Sequence, residues 1–145
     1  MRCWRISNFA DLSGRGGVIG EGRWHRLGTP IVYCTDHPST ALLEILVHAP
    51  RQTVPDSCQL IEIDFPDDIE IASVAIRDHW QADVEYTRAL GMDFIAGLEN
   101  AVLEVPSVVM PLAKNLLLNP LHPEASRISV VRTYRFPFDS RLLKS

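Results

Sequence analysis

The stretch EGRWHRLGTPIVYCTDHPSTALLEILVHA, residues 21 to 49, holds the pattern on which the fold turns. Its middle, Pro30 to Thr35, is a short β-branched run set between turn formers, which predicts a strand. Asp36-His37-Pro38-Ser39 follows as a helix start, because Asp36 or His37 can cap and a proline is favoured in the first turn. The helix is expected to run to about Ala49 and to stop at Pro50. A strand passing directly into an apolar helix sets the α+β character of the chain.

Within that helix Ala41, Leu42, Leu43, Ile45, Leu46, Val47 and Ala49 cover most of the circumference. One narrow polar stripe is left, formed by His37, Thr40, Glu44, His48 and Arg51 at spacings of three or four. The stripe has two readings. It is the wet face that any such helix needs, or it is the wall of a ligand groove in which Glu44 stabilises developing positive charge and His48 tunes it. Upstream, Arg23 and Arg26 flank Trp24 and His25 in a segment that follows a glycine-rich turn. A loop arginine can be solvated or can grip an anion, and Tyr33 can be a sheet aromatic or a ligand contact. A cation, an aromatic hydroxyl and a carboxylate so close in sequence can together hold a charged, aromatic, phosphate-bearing ligand.

Toward the N-terminus, Arg2 to Ile6 alternates weakly and reads as a strand. Ser13-Gly14-Arg15-Gly16-Gly17 and Gly20-Glu21-Gly22 read as a loop that lacks both phosphate-binding glycine fingerprints. Toward the C-terminus, Cys58 to Phe65 alternates cleanly, placing Ile61, Ile63 and Phe65 on one face. Ile69 to Ile76 can supply a further short strand. Asp83 to Leu98 is a second helix with Asp83 available to cap, weakened by Gly91. Ala101 to Val105 is another strand candidate. Lys114 to Ser126 fits neither period and reads as an ordered loop, in which Asn115 and Asn119 are ordinary loop formers. Ile128 to Tyr134 is expected to close the core as a last strand, with a tail from Arg135.

The pattern is a single α+β domain over residues 1–145, with short strands and two principal helices. At 145 residues and 46% hydrophobic, with mean hydropathy +0.03, the chain can bury one sizeable core. Its 14 basic and 18 acidic residues leave a net charge of −4 without any Lys/Arg block, so direct DNA binding by this chain is not expected. Three cysteines without a CxxC pair suggest neither a disulfide framework nor a zinc site, and a reducing cytoplasm is the natural compartment. The opening MRCWRISNFADLSG lacks the apolar core of a signal peptide, and no apolar run approaches the roughly 18 residues that span a bilayer. The histidines show no metal spacing, and neither a GxSxG elbow nor an HExxH helix occurs. Metal-free chemistry is the expectation.

Read together, WRIS, GRGG, GRWHRLGTPIVY, ALLEILVH, VPSVVMP and KNLLLNPLHP stand in the order and spacing of the RES-domain family, which the chain resembles over nearly its whole length. It is similar to the toxin half of bacterial RES–Xre toxin–antitoxin pairs. The resemblance implies a compact fold like that of the ADP-ribosyltransferases, with short strands in a split sheet core. It also implies action on NAD⁺ as substrate, with no other cofactor. Carried over by motif, the catalytic trio falls on Arg23, Tyr33 and Glu44. Ser107 in VPS is the expected pocket serine, with Ser126 as competitor, and Trp24 and His48 are expected to line the substrate. Many relatives carry Asn where this chain has His25.

The implied reaction is cleavage of the nicotinamide–ribose bond through an oxocarbenium-like cation, which a carboxylate stabilises. Arg23 offers a planar fork for the pyrophosphate, and Tyr33 a ring face for the nicotinamide. Water, phosphate or a protein side chain would each serve as acceptor, giving a glycohydrolase, a phosphorylase or an ADP-ribosyltransferase. A non-catalytic binding module is the reading from another class. The implied partner is an Xre-like antitoxin with a helix-turn-helix, occluding the groove between Arg23 and Glu44.

Overall fold

The computed structural model describes residues 1–48, 54–135 and 138–143. Among these, in chain order, the elements are β1 (Arg2–Ser7), α1 (Arg15–Ile19), β2 (Val32–Thr35), α2 (Pro38–His48), β3 (Gln59–Asp64) and β4 (Ile71–Ser73). They continue with α3 (Val84–Gly97), β5 (Val102–Pro106), β6 (Lys114–Leu118) and β7 (Ser129–Arg135). The strands form one sheet in the order β4-β5-β6-β2-β1-β3-β7. Every pairing is antiparallel except β4 with β5.

The sheet is continuous but nearly divided. β1 and β2 share a single register pair, Trp4 with Thr35, whereas β1 and β3 pair over six residues. Cys3, Ile61 and Ile63 from one side of this junction share a core with Val32, Cys34, Val102, Leu116 and Leu118 from the other. Two half-sheets joined at one weak seam can fold toward each other and bury one face in common, which is the split core expected. On the opposite face of β2, β5 and β6, Tyr33, Leu103, Val105 and Leu117 pack with Trp24, Trp80 and the α3 residues Leu90, Phe94 and Ile95. Leu42 and Ile45 of α2 pack with Ile6, Cys58 and Phe138.

Several expectations change. The glycine-rich stretch is not only loop: residues 15–19 form the short helix α1. Packing holds it, since a Cβ on Gly17 would lie 2.5 Å from the Thr29 carbonyl oxygen. The larger correction is β6. Residues 114–118, read as loop, are a central strand bonded to β2 and β5, with 123–127 in a 3-10 turn. Leu116 and Leu118 fill one core and Leu117 the other, and a strand buried on both faces has no reason to alternate. β7 closes the sheet as a largely exposed edge, with Ile128 and Val130 at its start packed on the core, and beyond it Phe138 is buried. The helix stop at Pro50 and the stripe position Arg51 lie outside the described residues.

Candidate active site

Three elements converge on Glu44. It sits on the second turn of α2, and its side chain is 21% exposed. Ser107, directly after β5, donates its hydroxyl to Glu44 Oε1 at 2.9 Å. Asn115, near the start of β6, donates Nδ2–H to the same oxygen at 3.0 Å. Oε2 has the His48 ring at 3.7 Å, one helical turn on. The stripe is therefore not a uniform wet face: Thr40 is buried, Glu44 points into the β5–β6 hairpin, and among its described residues His37 and His48 are the exposed ones.

Burial would push the Glu44 carboxyl above its ordinary range, but His48, Asn115 and Ser107 together outweigh it and hold the group lower. Hydrogen bonds made only to the ionised form have that effect. In return Glu44 raises His48, against burial and against the charge of Arg23. The charge of Arg23 is thus felt at His48.

Ser107 is saturated. Its hydrogen goes to Glu44, and its oxygen accepts the backbone N–H groups of Val109 and Met110. Ser126 is exposed and, among the described residues, bonds the Pro123 carbonyl oxygen in its own turn. The fold therefore brings Ser107, not Ser126, to the carboxylate.

Arg23 and Trp24 lie at the tip of a tight turn closed by an isolated bridge between Gly22 and His25. Their side chains diverge. Trp24 is 1% exposed and packs on Trp80, with ring centroids 5.7 Å apart. This corrects the expectation that Trp24 lines the substrate, because a buried indole has no free face for a ligand. Arg23 points outward, donating Nη1–H to the Gln81 carbonyl oxygen at 3.0 Å and keeping most of its five N–H donors for other acceptors.

The turn is clamped from two directions. From α3, Thr87 Oγ1 donates to the Arg23 carbonyl oxygen and Arg88 Nε to that of Gly22. From β2, the Tyr33 hydroxyl accepts the Trp24 N–H at 3.1 Å and lies 2.6 Å from His25 Nδ1. His25 Nε2 faces the carbonyl oxygens of Gly17 and Gly20. Carbonyls only accept, so Nε2 carries the ring proton, and in the neutral ring Nδ1 accepts the hydrogen bond that the Tyr33 hydroxyl donates. Burial raises the Tyr33 pKa, with the Trp24 N–H and the Arg88 charge opposing, and the phenol stays protonated. Part of its surface remains accessible.

Glu44, His48, Ser107 and Asn115 thus come together, Arg23 on its own turn acts on His48 through its charge, and Tyr33 is tied by its hydroxyl to the base of that turn. Sequence reasoning missed Asn115, Thr87 and Arg88. A polar residue opening the apolar run 116–118 was the available signal for Asn115. Among the described residues no group of three or more His, Cys, Asp or Glu side chains is placed to hold a metal ion, and no helix is long and apolar enough to cross a membrane.

Fold and site define a class: an α+β domain whose nearly divided sheet presents one hydrogen-bonded, ionised carboxylate and which holds an arginine on a clamped turn. The RES domain model matches residues 2–139, and the chain belongs to the RES-domain family. It is 41% identical to "Toxin Res" of Pseudomonas putida, over 98% of this chain and 99% of the relative. It is 34% identical to the "Prs ADP-ribosylating toxin" of Sphingobium sp. (strain YBL2), over 97% of this chain and 96% of the relative. Among solved structures, a chain of the M. tuberculosis MbcT–MbcA toxin–antitoxin complex superposes with a TM-score of 0.73 at 16% identity, covering 98% of this chain and 86% of that one. That likeness is one of fold.

Proposed function

We propose that this protein is a toxin that cleaves the nicotinamide–ribose bond of NAD⁺ and is neutralised by a cognate antitoxin. The observation that carries the reading is the Glu44 carboxylate, whose Oε1 takes both hydrogen bonds from the hairpin and whose Oε2 faces the His48 ring. As the C1′–N bond breaks, nicotinamide leaves with the bonding pair and positive charge grows on the ribosyl carbon. An ionised, preorganised carboxylate stabilises that charge and the ribose hydroxyls beside it. The acceptor oxygen then forms the C1′–O bond and loses its proton. Arg23 holds the pyrophosphate through its outward N–H groups, and the accessible part of Tyr33 packs on the nicotinamide. Ser107 acts through Glu44, since its own bonding capacity is used.

Water or phosphate as acceptor depletes NAD⁺. Transfer to a protein side chain is the second reading, and the similarity to an ADP-ribosylating toxin over nearly the whole chain favours it. The toxin names of the relatives and the toxin–antitoxin neighbour support an antitoxin partner, which we take to be of the Xre type and to occlude the Arg23–Glu44 groove. Inducible expression followed by measurement of growth and intracellular NAD⁺ separates the readings. The expected outcome is growth arrest with falling NAD⁺ for the natural chain and neither for Glu44→Ala. Arrest at constant NAD⁺ with newly ADP-ribosylated protein would assign transfer instead, and arrest that survives Glu44→Ala would point to a binding module.

A further inference from the structure

Asn115 has no role in the reaction as described, yet its side chain is placed at a cost. It sits on a central strand opposite Thr35 and Val105 and is 8% exposed. Its Oδ1 is buried without a hydrogen-bond partner among the described residues, and buried acceptors are seldom left so. The amide cannot be turned over to relieve this, because that would set Oδ1 against Glu44 Oε1, acceptor against acceptor, and withdraw the donor. A leucine, as at the next three positions, would avoid the penalty and still fit a strand. The orphaned oxygen is therefore the consequence of aiming Nδ2–H at Glu44.

Ser107 supplies the other half. Ser107 N–H bonds the Ala113 carbonyl oxygen, and Pro106 pairs with Lys114, so Ser107 and Asn115 flank one hairpin and deliver two donors to a single carboxylate oxygen. We propose that Asn115 is a positioning residue that, with Ser107, clamps Glu44 by Oε1 and so fixes Oε2 as the oxygen presented to the ligand. Two converging donors restrain both the rotation of the carboxylate and its protonation, and the lowered pKa of Glu44, to which Asn115 contributes, agrees with this. The kinetic consequence rests on the NAD⁺ reading; the clamp itself does not.

The test uses the purified full chain with Glu44 followed by carboxyl carbon NMR, its signal assigned through Glu44→Gln. In Asn115→Leu and Asn115→Ala, melting curves establish folding, and Glu44 is expected to titrate at higher pH than in the natural chain. With NAD⁺, kcat should fall by up to about 100-fold with KM nearly constant, the acid limb of the pH profile moving with the Glu44 titration. An unchanged Glu44 titration, or a rise in KM alone, would overturn the proposal. In the natural chain, independently of either variant, the Asn115 side-chain amide protons should shift as Glu44 titrates, and silence there would overturn it too. A natural chain that leaves NAD⁺ intact would remove the functional reading while the two titrations still decide the clamp.

Discussion

His48 illustrates how one neighbour sets a side chain's behaviour. Its ring faces Glu44 Oε2 at 3.7 Å from a largely exposed position, and its pKa is raised above the ordinary 6.5, by Glu44 first, with burial and Arg23 in opposition. A folded pKa above the unfolded one means that the contribution to stability is fully present below about 6.5 and fades as pH rises through the higher folded value. His48→Gln is accordingly expected to lose at most about 0.5 kcal/mol, as exposed ion pairs do, in urea denaturation at pH 6. No difference from the natural chain should remain at pH 9. A loss that grew with pH would show that the ring is held in its neutral form instead. The less exposed residues at the Arg23 turn behave otherwise. His25 and Tyr33 are satisfied by backbone groups and by each other, so they serve to hold the Arg23 turn in place.

At the scale of elements, the site depends on how closely α3 approaches that turn. A Cβ built on Gly91 would lie 1.7 Å from the Trp24 carbonyl oxygen, so the helix touches the turn where only a glycine fits. Intrinsic propensity runs the other way, since alanine is favoured over glycine within a helix by about 1 kcal/mol. Gly91→Ala therefore sets packing against propensity, and packing should win because the obstructing atom is backbone. A net loss of about 1–3 kcal/mol is expected by urea denaturation, together with weaker use of Arg23 in any assay of the site. A stabilised variant would show that the turn can withdraw freely. In the sequence Gly91 had seemed only a weak point in a helix; its purpose is a contact with residue 24.

For the whole molecule, the sheet order predicts where the structure opens first. β6 lies between β2 and β5, and its three leucines are almost fully buried, whereas β7 is an exposed edge bonded on one side only. Native-state hydrogen exchange should find the amides of Leu116 to Leu118 among the slowest, opening only with global unfolding, and those of β7 exchanging through smaller openings. Equal protection of the two strands would contradict this ordering.

The elements legible without a structure were those with a local signal. β2 and the start of α2 announce themselves by a β-branched run and a proline in the first turn, β3 by its alternation, and α3 by Asp83, whose side chain does accept the Tyr86 N–H. Motif order likewise led to the RES family. What stayed hidden has no local signal. β6 loses its period because both its faces are buried. Glu44 reads the same on a wet helix as in a groove, and the difference lies in Ser107 and Asn115, 63 and 71 residues away. By itself the sequence determined which segments become strands and helices and which side chains are available for chemistry. Tertiary structure alone decided which of them meet, because the hydrogen bonds that orient the carboxylate and the close packing that places the arginine join residues the chain keeps far apart.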